Sequence, residues 1–210
     1  MHTTSSASRR HPLITTALVG ALTLGTLASL QGCIALLGAG AVAGGLSLND
    51  RRTGGTQVED QAIELKSGGR LRDAIGDKAH INVTSYNRVA LITGEVPTDA
   101  DKASAEKAIA GIEGVSNVVN ELEVGPNSTL STRSSDTVIT TRVKSALIDA
   151  KDVQASAIKV VTERGNVYLM GRVTEREAAR AADIARSQPS VLKVVRVFDI
   201  LTEEQLANLK

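Results

Sequence analysis

The chain has 210 residues, of which 24 are Lys or Arg and 23 are Asp or Glu, so its formal net charge at pH 7 is +1. This length suits one medium domain or two small ones, and the balanced charge excludes a strongly basic nucleic-acid-binding protein. Its three aromatic residues, Tyr86, Tyr168 and Phe198, are too few for a surface that stacks single-stranded bases.

The charge is distributed unevenly along the chain. Residues 57–124 contain 7 basic and 12 acidic residues, a net charge of −5, whereas residues 134–201 contain 11 basic and 8 acidic residues, a net charge of +3. The C-terminal half is therefore the better candidate for contact with an anionic surface.

The N-terminal segment is typical of a bacterial secretion signal. Residues 1–12 include two arginines and no acidic residue, and an uncharged, mostly apolar stretch follows over residues 13–30. The stretch ends in Leu30-Gln-Gly-Cys33, which resembles the lipobox of bacterial lipoproteins. In that family the thiol is acylated and the chain is cleaved before it. The resemblance therefore implies a signal peptide over residues 1–32 and a lipid-modified Cys33.

Two alternatives for this segment remain open: an ordinary signal peptide with an incidental cysteine, or an uncleaved transmembrane helix that continues through Ile34 to Leu48. Cys33 is the sole cysteine, so its acylation leaves no thiol for a disulfide. Ile34 is not the aspartate that retains lipoproteins in the inner membrane of enteric bacteria, so the resemblance implies the outer membrane, facing the periplasm. Residues 33–56, rich in Gly and Ala and then polar, predict a tether without a packed core.

The rest of the chain contains one pattern twice, about 76 residues apart. Residues 81–96 align without a gap with residues 158–173, and each copy predicts two short strands joined by a turn. The turns are Tyr86-Asn-Arg88 and Arg164-Gly-Asn166, and the second strand of each copy includes a glycine, Gly94 or Gly171.

Helices are predicted on both sides of each hairpin. Thr98-Asp-Ala-Asp101 and Thr174-Glu-Arg-Glu177 indicate capped starts of alanine-rich helices, and Val-rich last strands follow them. Amphipathic helices precede the hairpins at residues 58–76 and 136–150. Each repeat therefore predicts an α+β unit, helix-strand-strand-helix-strand, with a mixed three-stranded sheet. The predicted divisions are a first domain at 57–124, a linker at 125–134, a second domain at 135–201 and a C-terminal tail at 202–210.

The repeated hairpin with its glycine, the Thr-capped alanine-rich helix and the Val-rich last strand resemble the BON domain, a bacterial module named for osmotically induced proteins and nodulation. The likeness is greatest over residues 58–94 and 135–173 and includes Ile81-Asn-Val-Thr84. Two tandem copies behind a lipobox are similar to dual-BON outer-membrane lipoproteins. The resemblance implies a non-catalytic protein that binds anionic phospholipid and supports envelope integrity and cell division.

No catalytic or metal-binding constellation is predicted. Residues 57–201 contain His80 as their only imidazole and have no thiol, and His80, which precedes a strand, is expected at the surface. Carboxylates at a helix start, such as Glu175 and Glu177, interact favourably with the helix dipole and need no calcium. We therefore expect no enzyme activity, no cofactor and no metal.

The helix predicted at residues 136–150 has two distinct faces. Ile139 and Leu147 belong to an apolar stripe that must face the sheet, whereas Val138 and Ile148 point away from it beside basic residues. Apolar tips among basic side chains suit a lipid interface, and the resemblance assigns phospholipid contact to this helix. The predicted lipid-binding residues are Val138, Thr141, Arg142, Lys144, Ser145 and Ile148.

Two alternative roles for the second face remain open. Val138 and Ile148 are also compatible with scattered surface hydrophobes or with packing against the first domain. The sequence departs from the family at Val138, where an aromatic side chain is expected, and valine lacks the ring that anchors at headgroups. An adaptor for envelope assembly or cell-wall proteins, and an enzyme that uses carboxylates, are the alternative functions.

The strand at residues 167–173 is apolar on both faces, with Val167 and Leu169 on one and Tyr168 and Met170 on the other. A sheet covered by helices on one face only leaves the other face in water. We therefore expect Tyr168 and Met170 to form part of the contact between the two domains, although a core role for Met170 within its own domain is an alternative.

Overall fold

The structure, a computed structural model, describes residues 50–209. These residues lie in one compact unit, Leu48–Lys210. The predicted signal peptide, Cys33 and most of the predicted tether lie outside the described residues. Within residues 50–209, no helix is both long enough and apolar enough to cross a bilayer.

Each repeat contains a helix, two strands, a second helix and a last strand, in the predicted order. The first repeat consists of α1 (Gly54–Ile75), β1 (His80–Tyr86), β2 (Val89–Val96), α2 (Asp99–Ala110), β3 (Asn117–Asn120) and β4 (Glu123–Val124). The second consists of α3 (Leu130–Asp149), β5 (Ile158–Glu163), β6 (Asn166–Thr174), α4 (Glu175–Arg186) and β7 (Lys193–Leu201). A single 3-10 turn at Ala155–Ala157 precedes β5, and a short helix, α5 (Glu203–Ala207), lies in the predicted tail.

The two sheets share one topology. The first two strands of each repeat pair antiparallel, and the last strand pairs parallel to the second, in the orders β1-β2-β3 and β5-β6-β7. In the first repeat the last strand is interrupted, and β4 continues the pairing with β2. Parallel pairing requires a crossover, which α2 and α4 provide. The predicted α+β fold with mixed sheets is confirmed.

The close approach of the backbone where the first strand of each hairpin begins explains why the second strand has a glycine at Gly94 and at Gly171. Gly94 has φ 115°, and a Cβ there would collide with the carbonyl oxygen of His80 on the paired strand. A Cβ at Gly171 would collide in the same way with the carbonyl of Ala157. Both positions therefore admit only glycine without a shift of the neighbouring strand.

Both leading helices begin earlier than predicted. α1 starts at Gly54 rather than at residue 58, and α3 starts at Leu130 rather than at residue 136. Thr53 and Thr129 are their N-caps, because each hydroxyl accepts a hydrogen bond from the amide three residues later. The end of the predicted tether and half of the predicted linker are therefore helical.

The residues just before α1 also pack against the second repeat. Arg51 donates to both carboxylate oxygens of Glu177, at 2.7 and 2.8 Å, and to the carbonyl of Arg172 at 2.9 Å. The side chains of Arg51 and Glu177 are only 7% and 6% exposed. The prediction of an unpacked tether up to residue 56 is therefore wrong for its last residues, since a buried ion pair holds them in place.

Three apolar clusters account for the packing of the described residues. Helices α1 and α2 cover one face of the first sheet, and α3 and α4 cover one face of the second. The uncovered faces meet each other, and the third cluster lies between them. All three clusters are formed within residues 50–209, so this part of the chain supplies its own cores.

Candidate functional site

The predicted lipid-binding residues share the solvent-facing side of α3. Ile139, Val143 and Leu147 on the opposite side are at most 4% exposed and pack on the sheet, whereas Ile148 is 72% exposed and Val138 is 47% exposed. The exposed set comprises Val138, Thr141, Arg142, Lys144, Ser145 and Ile148.

The early start of α3 adds a residue that sequence reasoning missed. Leu130 is 80% exposed and falls in the predicted linker. It lies 18 residues before Ile148, which is five full helical turns, so the two side chains point in the same direction about 27 Å apart. The recognisable signal was Thr129, because a threonine before an amphipathic segment is a good N-cap.

Four hydroxyl groups of α3 donate hydrogen bonds within the helix. Ser134, Ser135, Thr137 and Thr141 each donate to the carbonyl four residues earlier, at 2.9 to 3.1 Å. These donors therefore do not lose a partner when water is removed from the helix surface. The exposed face of α3 is consequently less costly to desolvate than its Ser and Thr content suggests.

Arg142 and Lys144 are free of partners within the described range, as neither forms an ion pair or a hydrogen bond with another of residues 50–209. The helix segment from Thr137 to Ile148 contains no acidic residue. The exposed face of α3 therefore combines apolar side chains with two unpaired cations.

Several other basic residues of the second repeat form ion pairs with the first repeat. Lys159 lies 2.8 Å from Glu64, Arg164 lies 3.5 Å from Glu95, and Lys193 lies 3.7 Å from Glu121. Each of these carboxylates belongs to the first repeat. The opposite net charges of the two halves therefore partly neutralise one another.

A small apolar cavity lies beside Ile148 at the C-terminal end of α3. Its volume is about 250 Å³, and Lys144 belongs to its lining. The remaining lining residues are Leu147, Ile148, Ala155, Ser156 and Ile158. An apolar recess with a cationic side chain on its wall is suited to the hydrocarbon and headgroup region of a lipid.

Tyr168 and Met170 lie between the two sheets, where they are 3% and 0% exposed. They contact Tyr86 and Leu91 of the first repeat. The Tyr86 hydroxyl donates to the carbonyl of Ala157 at 3.3 Å, and burial raises the pKa of Tyr86 to about 12. Both predicted interdomain residues thus belong to the contact between the repeats.

A second polar cluster surrounds His80. The Nδ1 atom of His80 lies 3.1 Å from Glu95 and 3.9 Å from Glu163 of the second repeat, and the His80 side chain is 18% exposed. Burial raises the pKa of Glu163, although Asn82 donates a hydrogen bond to it. His80 is therefore partly at the surface, as predicted, because its side chain, although half-buried beside the second repeat, lines an open cleft.

The sequence profile of the BON domain matches residues 59–126 and 135–202. Over 184 residues the chain is 41% identical to the outer membrane lipoprotein DolP of Haemophilus influenzae, covering 86% of this chain and 95% of that protein. It is 38% identical over 152 residues to the 21 kDa hemolysin of Actinobacillus pleuropneumoniae, covering 71% and 78% of the two chains. It is also 30% identical over 144 residues to the osmotically-inducible protein Y of Escherichia coli, covering 67% and 72%. None of these names is that of an enzyme.

Proposed function

This chain belongs to the BON-domain family, and from that premise we propose that it is a non-catalytic outer-membrane lipoprotein whose second domain binds anionic phospholipid through α3. Cys33 would carry the lipid anchor, with the two domains facing the periplasm. In this role the protein supports the integrity of the envelope.

The exposed face of α3 is the observation that carries the proposal. Leu130, Val138 and Ile148 project from it, and Arg142 and Lys144 lie among them without a protein partner in residues 50–209. A helix lying in a membrane interface inserts apolar side chains between headgroups while its basic side chains meet phosphate oxygens.

The expected affinity of α3 alone is modest. Each basic residue near an anionic surface contributes about 1 kcal/mol, so Arg142 and Lys144 together contribute about 2 kcal/mol. An inserted isoleucine or leucine adds at most about 1.5–3 kcal/mol. The anchor at Cys33 would therefore hold the protein at the membrane, and tethering raises the effective concentration of α3 at the lipid surface.

Vesicle binding by residues 48–210 tests the proposal without the anchor. We expect this protein to bind phosphatidylcholine vesicles that contain phosphatidylglycerol but not vesicles of phosphatidylcholine alone. Binding should weaken as salt is added, because screening acts on Arg142 and Lys144. Failure to bind the anionic vesicles would refute the phospholipid role and favour an adaptor for envelope proteins.

A matched pair of variants locates the contact. Ile148→Glu places a negative charge at the tip of the exposed face and is expected to abolish vesicle binding. Leu65→Glu makes the same change at a residue of α1 that is 82% exposed, and it should leave binding unchanged. Equal binding by Ile148→Glu and the unmodified protein would exclude α3 as the contact.

A further inference from the structure

A cluster of potential metal ligands lies where the two domains meet. His80 begins β1, Glu95 lies near the end of β2, and Glu163 ends β5, so the first domain supplies two of the side chains and the second domain supplies one. Glu95 is 0% exposed and Glu163 is 6% exposed. Two carboxylates and an imidazole therefore share a site that is largely shielded from water.

The side-chain atoms are close enough to hold one ion. One nitrogen of His80 and one oxygen of each carboxylate all lie within 4.8 Å of one another. Zinc binds such atoms at about 2.0–2.2 Å in a tetrahedral arrangement, which places neighbouring ligand atoms about 3.3 Å apart. The distances of 3.1 and 3.9 Å from His80 Nδ1 to the two carboxylates fall on either side of that value.

One carboxylate oxygen of Glu95 accepts no hydrogen bond from residues 50–209. Among the described residues, its Oε1 atom is buried without a hydrogen-bond partner. The guanidinium of Arg164 forms an ion pair with Oε1 at 3.5 Å, a distance beyond ordinary hydrogen-bond length, while Oε2 is the oxygen that faces His80. A buried carboxylate oxygen without a donor is costly, and a bound cation is one of the arrangements that satisfies it.

The neighbouring groups orient the two carboxylates. The amide of Ser128 donates to Glu95 Oε2 at 3.0 Å, and Asn82 donates to Glu163 Oε2 at 3.0 Å. Hydrogen bonds of this kind hold metal ligands in place. A cleft of about 480 Å³, whose lining includes His80 and Glu163, gives an ion a route from solvent and leaves room for a water ligand.

We propose that His80, Glu95 and Glu163 bind a zinc ion that joins the two domains, with water completing the coordination. One imidazole with two carboxylates is a ligand set that zinc accepts. Calcium and magnesium prefer sites made of oxygen ligands alone. None of the three ligands lies on α3, although Thr141 and Lys144 of α3 also line the cleft that leads to them. The proposal reverses the expectation from the sequence that the protein binds no metal.

Untagged residues 48–210 allow a clean test, because His80 is their only histidine and they contain no cysteine. Calorimetric titration with zinc chloride is expected to show one site per chain, and zinc should raise the thermal unfolding midpoint. His80→Gln and Glu163→Gln should each reduce zinc affinity at least tenfold. Asn82→Ala should weaken it by about 10–100-fold, because it removes a hydrogen bond to a ligand.

Glu121→Gln is the matched control, since Glu121 is also an interdomain carboxylate but pairs with Lys193 outside the cluster. This variant should bind zinc like the unmodified protein. Circular dichroism checks that each variant is folded. If His80→Gln and Glu163→Gln both unfold, the zinc affinity of Asn82→Ala tests the proposal instead. The proposal would be overturned if zinc gave no one-site isotherm, or if calcium and magnesium raised the unfolding midpoint as much as zinc does. It would also be overturned if His80→Gln, Glu163→Gln or Asn82→Ala folded and bound zinc with unchanged affinity.

Discussion

Asp60 and Asp136 occupy equivalent positions on the buried sides of α1 and α3. Asp136 accepts hydrogen bonds from the backbone amides of Arg164 at 2.9 Å and Gly165 at 2.8 Å. Asp60 does the same for the two turn residues of the first hairpin, both at 2.8 Å. All four turn residues have positive φ, as the tight turn requires. Each carboxylate therefore links the leading helix of its domain to the hairpin turn.

Removing one of these carboxylates should destabilise the fold. Asp136→Ala is expected to lower the free energy of unfolding by about 2–3 kcal/mol, because two turn amides lose a charged acceptor. Asp60→Ala should cost more, since Asp60 also accepts from Ser85 Oγ at 2.6 Å and pairs with Arg52 at 2.7 Å. Urea unfolding measures both values. Asp149→Ala, at an exposed helix end, is the control, and an equal effect there would contradict the assignment.

At the scale of elements, α1 and α3 are equivalent in the fold but differ in their exposed chemistry. α1 also has exposed apolar residues, Val58 and Leu65, but acidic side chains accompany them. Glu59 lies 3.5 Å from Arg88, and Glu64 binds Lys159 of the second domain. Arg142 and Lys144 of α3 have no such partners among the described residues, and neither do Lys66, Arg70 and Arg72 of α1. The helices differ because acidic residues lie beside Val58 and Leu65 of α1, whereas residues 137–148 of α3 contain none. The difference favours α3 as the helix that meets an anionic membrane.

The N-cap of α3 provides a test at this scale. Thr129→Ala should lower the free energy of unfolding by about 1 kcal/mol, because the amide of Thr132 loses its acceptor. The first turn should fray, so hydrogen exchange at residues 131–133 is expected to accelerate while the rest of α3 is unchanged. Thr129→Ser keeps the capping hydroxyl and should behave like the unmodified protein. Equal exchange in both variants would show that the cap does not hold this turn.

At the scale of the whole molecule, the two domains are joined by an apolar contact with charged groups around it. Tyr86, Leu91, Tyr168 and Met170 form the apolar centre. Ion pairs between acidic residues of the first domain and basic residues of the second surround this centre. Other basic residues of the second domain pair with carboxylates of the same domain, so only part of its positive charge faces the first domain or the exposed face of α3.

The buried pair of Arg51 and Glu177 should make stability sensitive to acid. The hydrogen bond from Arg51 lowers the pKa of Glu177 below its ordinary value of 4.5, although burial opposes the shift. The pair therefore contributes its full stability above pH 4.5 and loses it as the pH falls through the lowered pKa. Arg51→Met should reduce the loss of unfolding free energy on acidification, measured by urea unfolding at stepped pH.

Arg186→Met is the matched control for this measurement. Arg186 pairs with Asp183 on the surface of α4, where both side chains are more than half exposed. Exposed pairs contribute little, so its acid dependence should match that of the unmodified protein. The same acid dependence in Arg51→Met and the unmodified protein would show that the buried pair is not responsible.

The repeat, the order of elements and the mixed sheets were predictable because short-range signals encode them. Alternating apolar residues, the turn at Arg164 and Gly165 and the capping box at Thr174 each lie within a few residues of one another. The exposed side of α3 was predictable for the same reason, since helical periodicity alone separates Ile148 from Leu147. The first turn of α3 was missed because Ser and Thr are common in both linkers and helix starts.

Contacts between distant residues were decided by tertiary structure alone. His80 and Glu163 are far apart in the chain, and they meet only because the uncovered faces of the two sheets pack together. Arg51 and Glu177 likewise meet across the domain contact, although the sequence around Arg51 is typical of a tether. From its sequence neighbours alone, a charged residue is expected to be exposed, because burying a charge requires an oppositely charged or hydrogen-bonding partner. No local sequence pattern identifies such a partner when it lies on another domain.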